Sequence, residues 1–513
     1  MAGPTIAQPS AANRTPPLAV REKVDFATIG RIKTEAAQHS QVMDLASGLT
    51  DVFGARLTGS PSAKAAGDWA MATMKSWGLS NVHLEPWAYN RRGWTSERFA
   101  FRAVAPRPFV IDAMPSVWSV STKGAITGPA IRFDPHSLAD MQQRFGGNLK
   151  GACLLMEPAR PTPAHFEPQA TRLTDAELDS LAAGQPLPSP PHEVVEIRYA
   201  AADDAAARRW LVNAGVAALI FPARGDGGTM FLGSGAGSAN KIPDEIPSVN
   251  VSAESYGRVV RILEKNIPVT LELDMQNTFY DNLDVSNIIA EIPGTDPRLR
   301  DEVVMIGAHL DSWTPGTGAT DDAAGVAVMM EAMRILKVMD LQPRRTIRIG
   351  LWTGEEQGGR GSKAYVQQHF RADSSTARRE AEAFSVYFNL DAGTGKIRGI
   401  YQQGNATVGP VFDAWMAPFK DLGMKTVSPL HIGGSDRGAF EAAGLPSFGF
   451  IQDPIEYDTR THHTNADVYE RLQSDDLKFN SAVLAAFAWQ AAQRDEKMPR
   501  GETGKDGVNQ STK

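Results

Sequence analysis

The sequence predicts an α/β protein: a mixed, largely parallel central sheet with helices on both faces, plus an inserted, smaller β-rich unit. Three observations predict it. From Asn287 onward, short apolar runs alternate with helical patterns, as strands buried on both faces require. Between 123 and 275 the pattern changes to short strands, two helices and a proline-rich loop. At 513 residues the chain has room for about two to four structural units.

Taken in order, Phe26 to Trp87 reads helical, with Ile29, Ile32, Ala36, Val42, Leu45, Ala46 and Leu49 at helical spacing. Gly59-Ser60-Pro61-Ser62 breaks it, and a second helix from Lys64 to Trp77 stops at Gly78. Phe101 to Ile111 is strand-like. Residues 157–192 carry eight prolines, too many for regular structure, but Thr174 to Glu177 has the form of a capping box for one short helix. Around that loop lie candidate strands Ala152–Met156, Val194–Tyr199 and Ala217–Phe221, and candidate helices Ala205–Ala214 and Ala253–Leu263. In the last part, strands Val303–Ala308, Thr346–Trp352, Phe384–Leu390 and Ser447–Ile451 accompany helices Ala323–Leu336 and Ser362–Gln368. The expected division is a disordered stub at 1–22, a main domain at 23–122 and 276–493, the insertion at 123–275, and a disordered tail at 494–513.

Composition excludes several classes. Hydrophobic residues make up 42% and charged residues 22%, which rules out global disorder. The net charge of −7 leaves no basic footprint for nucleic acid, and no apolar run of 18 residues suggests a membrane span. Cys153 is the lone cysteine, so an intrachain disulfide and a thiolate zinc site are excluded. Any metal site must use His, Asp and Glu. Residues 1–22 lack the charged start and apolar core of an intact signal peptide.

In open α/β sheets chemistry sits beyond the carboxyl ends of the strands. Here one strand runs into His309-Leu310-Asp311, the next into Glu355-Glu356, and the third into Asp391. Asp321-Asp322 precedes a helix, and His462-His463 falls near the end. Singly, each has an ordinary explanation as a helix-end acid, a turn residue or a loop histidine. Jointly, three successive strands deliver metal-capable side chains to one edge, where the carboxylates would repel one another unless a cation neutralises them. Two histidines and three carboxylates exceed one open tetrahedral zinc and suit two ions sharing a carboxylate. Of Glu355 and Glu356, one can ligate while the other stays free as a base. Asp311 is placed to accept the second imidazole N–H of His309.

These motifs, with Arg56-Leu57-Thr58-Gly59-Ser60 and Gly434-Ser435-Asp436, resemble the co-catalytic zinc exopeptidase family that includes bacterial leucyl aminopeptidases, carboxypeptidase Q and the glutamate carboxypeptidases. The resemblance spans about Arg56 to Leu472. It implies two Zn2+ per subunit, with Asp321 bridging, Glu356 and His463 completing one site, and His309 and Asp391 the other. It implies Glu355 as general base and a cis peptide after Asp321. His463 is preferred over His462 because the family motif has Asp four residues later, here Asp467. His462 stands where some relatives have an oxyanion-stabilising Tyr, and could donate in its place. Arg437, where many relatives have His, could meet a substrate carboxylate or be an ordinary surface or salt-bridged arginine. The insertion resembles a protease-associated domain through Gly151–Leu155, Asn213–Ile220 and Ile246–Val249.

The resemblance therefore implies hydrolysis of short peptides as an aminopeptidase, dipeptidase or carboxypeptidase. It also implies a homodimer and a periplasmic or secreted location, with no nucleic-acid or membrane partner. The alternatives are a glutaminyl-cyclase-like zinc transferase, which usually works with one zinc, and a non-catalytic receptor on the same fold.

Overall fold

A computed structural model describes residues 22–146, 148–188, 204–231, 246–281, 284–371 and 373–501. Its strands in chain order are β1 (Ser80–Pro86), β2 (Gly93–Ala105), β3 (Phe109–Val110), β4 (Ala113–Pro115), β5 (Ile126–Arg132), β6 (Cys153–Leu155), β7 (Ala218–Pro222) and β8 (Ser248–Val251). They continue as β9 (Thr270–Tyr280), β10 (Ser286–Ile292), β11 (Val303–His309), β12 (Thr346–Trp352), β13 (Phe384–Asn389), β14 (Ile397–Tyr401), β15 (Thr426–Ser428) and β16 (Ser447–Gln452).

The main sheet has the order β1-β10-β12-β11-β13-β16-β14-β15. Strands β12, β11, β13 and β16 are mutually parallel, so their carboxyl ends share one edge. The flanking pairs β1–β10, β10–β12 and β14–β16 are antiparallel, so the sheet is mixed. Period-two alternation divides each central strand between two layers. Val304, Ile306 and Ala308 face the large core under helices Phe26–Gln38, Ala324–Val338 and Ser474–Gln493, while Met305 turns to the opposite face with Trp352, Tyr387 and Phe440. Helix Ala324–Val338 is buried on all sides from Ala324 to Leu336, as its nearly uniform apolar sequence demands.

The second sheet has the order β3-β2-β9-β5-β6-β7-β8-β4. It begins at Gly93, ahead of the position 123 read from composition, because the long strand β2 pairs with β9 along almost its whole length. The capping box forms as expected: Thr174 and Glu177 exchange bonds at the start of helix Asp175–Ala182. The helical reading of Phe26 to Trp87 is corrected at its end. Gly78, at φ +77, stops the helix Pro61–Ser76, and Ser80–Pro86 pairs with β10 as an edge strand. Val82 and Leu84 already alternate, but over too few residues to outweigh the helical run before them. The candidate strand Val194–Tyr199 lies outside the described residues. Beyond Arg494 the chain still packs: Met498 is buried in the main core, and Arg494 bonds Glu22 at 2.6 Å.

Candidate metal centre

The four parallel strands bring their terminal loops together at one edge. His309 is the last residue of β11, Glu355 and Glu356 follow β12, and Asp391 follows β13. Asp321 lies in the turn before helix Ala324–Val338, and its peptide bond to Asp322 is cis. His463 arrives from the loop after β16.

Asp321 is the hub. Its Oδ1 lies 3.1 Å from His309 Nε2, and its Oδ2 lies 3.1 Å from His463 Nε2. Asp391 Oδ1 stands 3.5 Å from His309 Nε2, and Glu356 Oε2 stands 3.0 Å from His463 Nε2. The other Glu356 oxygen, Oε1, accepts from the Trp313 N–H at 3.3 Å, which fixes the carboxylate. Potential ligand atoms gather within 4.8 Å in three overlapping groups: His309, Asp321 and Glu356; His309, Asp322 and Asp391; and Asp321, His462 and His463. Asp322 is less available than that proximity suggests, because its oxygens accept from Gly325 N at 2.9 Å and His309 N at 3.3 Å. It caps the helix instead.

The donor set fits metal dications. Oδ2 of Asp321 is buried and makes no hydrogen bond, an orphaned acceptor aimed between two donor groups. Burial alone would raise the Asp321 carboxyl, but His309 and His463 hold it well below its usual range. Burial and the Asp321 charge push Glu356 well up. Burial opposes protonation of His463, yet the nearby Asp321 and Glu356 carboxylates raise it to about 10, and Asp391 and Asp321 likewise raise buried His309. The carboxylates thus draw positive charge onto two imidazoles, charge that a bound dication would supply in its place.

Asp311 works differently from the expectation. Its main-chain carbonyl, not its carboxylate, accepts from His309 Nδ1 at 2.8 Å, while its Oδ1 is 3.7 Å away. This carbonyl directs Nε2 toward the cluster. The carboxylate instead accepts from Thr58 Oγ1 at 2.7 Å and from the Glu355 N–H at 3.2 Å. Thr58 Oγ1 also accepts from Gly354 N at 3.0 Å. Thr58 and Asp311 together therefore hold the turn that carries Glu355. The Glu355 carboxyl is pushed up to about 8 by burial and by the charges of Asp436, Asp391 and Asp311, against the pull of His309. His462 stacks on Tyr457 at 4.6 Å, with its Nε2 3.8 Å from Asp321 Oδ2. Burial lowers its pKa, so it presents a neutral imidazole at pH 7.

Arg437 is a correction. Its side chain is only 4% exposed, and its terminal nitrogens donate to the carbonyls of Ile432, Gly433 and Gly434. It shapes that loop from within and offers no fork to a substrate. Conversely, the sequence reading assigned no role to three supports. Buried Arg56 donates to five main-chain carbonyls, those of Leu49, Gly54, Leu310, Thr317 and Gly318. Asp467 accepts from Thr320 N at 2.5 Å and Thr320 Oγ1 at 2.8 Å, fixing the turn before Asp321. Thr58 is the third. Each lay inside a quoted motif, but nothing local to it revealed its distant partner.

A buried carboxylate shared between two His- and acid-bearing donor groups, at the carboxyl edge of an α/β sheet, is the arrangement that a co-catalytic metal centre would use. Residues 287–488 match the model of peptidase family M28. That matched segment carries all five candidate ligands. Over 256 residues, 50% of this chain and 52% of the relative, the sequence is 29% identical to carboxypeptidase Q of Homo sapiens. Over 202 residues, 38% of this chain and 42% of the relative, it is 28% identical to aminopeptidase YwaD of Bacillus subtilis strain 168. The chain spans about half the length of the carboxypeptidase Q sequences it matches. A solved peptidase M28 precursor from Shewanella amazonensis SB2B is similar with a TM-score of 0.64 and 26% identity, covering 93% of this chain and 98% of that one. BSAP, a zinc aminopeptidase from Bacillus subtilis, shares the fold with a TM-score of 0.54 and 21% identity, covering 90% of this chain and 96% of that one.

Proposed function

We propose that the protein is a zinc-dependent exopeptidase acting on short peptides, similar to carboxypeptidase Q and the bacterial aminopeptidases. The observation that carries this reading is Asp321, with one oxygen toward His309 and the other toward His463. His309 and Asp391 would hold one ion, Glu356 and His463 the second, with Asp321 between them. Two zinc ions so held would supply Lewis acidity, polarising the scissile carbonyl and bringing the pKa of a water toward about 7.

The chain's own groups supply the proton transfers. The Glu355 carboxylate takes the proton from the attacking water and returns it to the nitrogen of the leaving amine. Its turn is held by Asp311 and Thr58, so the base is positioned before substrate arrives. The neutral His462 imidazole donates toward the oxyanion. The second sheet is read as a protease-associated-like insertion whose loops bound the cleft. The family likeness also supports a homodimer and a periplasmic or secreted setting.

The test is product analysis on a tripeptide of three different residues, with zinc and with a chelator. Chelator-sensitive release of one terminal residue is expected, and its identity distinguishes aminopeptidase from carboxypeptidase. Glu355→Gln should keep zinc and lose about 10²–10⁴-fold in kcat. Near-normal turnover in that variant refutes the base assignment, and no chelator-sensitive cleavage of any unblocked di- or tripeptide refutes the exopeptidase reading.

A further inference from the structure

Trp313 touches both Glu356 and His463, the residues of one half of the candidate centre. Its main-chain N–H donates to Glu356 Oε1 at 3.3 Å. Its indole ring meets the His463 imidazole near edge-on, at 75° with 6.2 Å between centroids. The same indole meets Trp118 at 84° and 5.7 Å. No step of the proposed reaction uses this ring.

Trp118 belongs to the second sheet. It lies in the turn after β4, and its φ of +61 falls in the left-handed region, which is costly for a bulky L-residue. Such a conformation persists only where the surroundings over-determine it. Here Trp118 Nε1 donates to the carbonyl of Arg92, the residue before β2, at 3.0 Å. The neighbouring Ser119 carbonyl accepts from Trp94 Nε1 of β2 and from Asn277 Nδ2 of β9, both at 2.9 Å. Ser119 Oγ accepts from Ser248 N of β8 at 2.9 Å. Three strands of the second sheet therefore fix the turn that carries Trp118. Trp118, Trp94 and Leu57 form a small apolar cluster of their own, and Trp313 packs against it. Leu57 precedes Thr58, which helps to hold the Glu355 turn, so this cluster joins the second sheet to the loops of the site.

His463 has need of a brace. Torsion about the Cβ–Cγ bond of a histidine is broad, so an unsupported imidazole readily loses its ligating direction. Its ring neighbours are His462, at 3.9 Å, and Trp313. The His462 side chain is itself 39% exposed, so Trp313 is the ring that ties His463 to packed interior. We propose that Trp313 is a positioning residue for His463 and that Trp118 braces it, so that the second sheet helps set the zinc affinity at Glu356 and His463. This rests on the zinc exopeptidase reading, but it concerns metal affinity and is read without substrate.

Competition against a chromogenic chelator measures the two zinc-binding steps in the parent and its variants. His463→Ala identifies the step that belongs to this half. Trp313→Leu keeps the main-chain bond to Glu356 and removes the ring. It should weaken that step by about three- to tenfold and leave the other within about a factor of two, a split that a general loss of stability would not give. Trp313→Phe, which keeps a ring, should lie between the parent and Leu. Trp118→Leu should weaken the same step by about two- to fivefold, and should add nothing once Trp313 is replaced by Leu. Equal loss at both steps, or no loss at either, overturns the positioning role and leaves the di-zinc reading standing. A Trp118→Leu effect that persists in full beside Trp313→Leu overturns the brace. A parent that binds fewer than two zinc ions overturns the di-zinc reading itself, and this proposal with it.

Discussion

Arg56→Lys separates charge from geometry at the metal centre. The buried guanidinium makes five bonds to carbonyls: Nε to Leu310 O at 2.7 Å, Nη1 to Leu49, Gly54 and Thr317 O, and Nη2 to Gly318 O at 2.9 Å. Burial lowers its pKa to about 10 against the charges of Asp467, Asp311, Asp322 and Asp321, so it remains charged at neutral pH. A lysine ammonium keeps that charge but offers three donors from one point. It can serve at most the three acceptors gathered at Nη1, which leaves Leu310 O and Gly318 O unbonded. Those two lie next to His309 and in the turn leading to Asp321. Two lost buried bonds cost about 2–3 kcal/mol. At about 2 cal/mol/K per residue over the 513-residue chain, the melting entropy is about 1 kcal/mol/K, so the melting temperature should fall by about 2–3 °C if the chain unfolds as one unit. Zinc affinity should fall by about 10–100-fold, the usual effect of losing a group that orients ligands. Scanning calorimetry and competition against a chromogenic chelator read both quantities. An unchanged melting temperature with zinc affinity within a factor of two would show that Arg56 acts through charge alone, and would refute the argument from its fork.

Two further outcomes are expected. Asp321→Ala removes the carboxylate that faces both imidazoles, so metal analysis after dialysis should find both equivalents of zinc reduced, with activity lost in parallel. Retention of one full equivalent would mean that the two donor groups do not share Asp321. At a site remote from the metal centre, His369 lies between Glu85 Oε2 at 3.1 Å and Glu380 Oε2 at 2.8 Å. Burial lowers its pKa, but the two carboxylates prevail and raise it above 6.5. Its contribution is then full below about pH 6.5 and fades as pH rises through the folded value. The melting-temperature gap between parent and His369→Gln should therefore be larger at pH 6 than at pH 9, and a gap that widens with pH would reverse the assignment.

What the sequence made legible follows from the range of each interaction. The parallel strands announced themselves because a strand buried on both faces must be largely apolar, and β11, β12 and β13 are, Arg348 of β12, Ser385 and Asn389 of β13 and the terminal His309 of β11 being the polar exceptions after their first residues. His309, Glu356 and Asp391 could be aligned from those strands alone, since parallel neighbours must present their ends at one edge. The role of Asp311 came out half right: a residue two positions after His309 does orient the ring, but backbone and side-chain acceptors at that spacing look the same in sequence. Arg437 stayed open between two readings because a guanidinium aimed at a substrate and one aimed at its own loop differ only in direction. Arg56 and Thr58 were out of reach for another reason. Their partners lie more than 250 residues away, at Leu310 and Asp311, and no local pattern encodes such a contact.

The second sheet is bound into the metal centre through the histidine loop. His463 has a φ of +59, in the left-handed region that costs an L-residue energy, so its loop needs fixing from outside. Thr464 helps locally by donating to Arg460 O at 2.5 Å. Thr320 Oγ1 bonds Thr461 Oγ1 at 2.9 Å from the main domain, and further support comes from the second sheet's connections. Asn465 accepts from Met230 N at 2.7 Å and donates to Gly228 O at 2.9 Å, and Phe231 pairs with Thr464. On the preceding stretch, Thr171 pairs with Ile455, and Thr459 donates to Gln169 O at 2.8 Å. The segment from Ile455 to Asn465 is thus held by both the proline-rich loop and the loop after β7. A displacement of either loop shifts His463 relative to Asp321, whereas His309 and Asp391, carried by the central strands, stay in place. The two halves of the candidate centre therefore differ in one ligand: Glu356, like His309 and Asp391, follows a central strand, whereas His463 sits on a loop held in part by contacts between the two sheets. Weakening those contacts should loosen His463 before the ligands carried by the central strands.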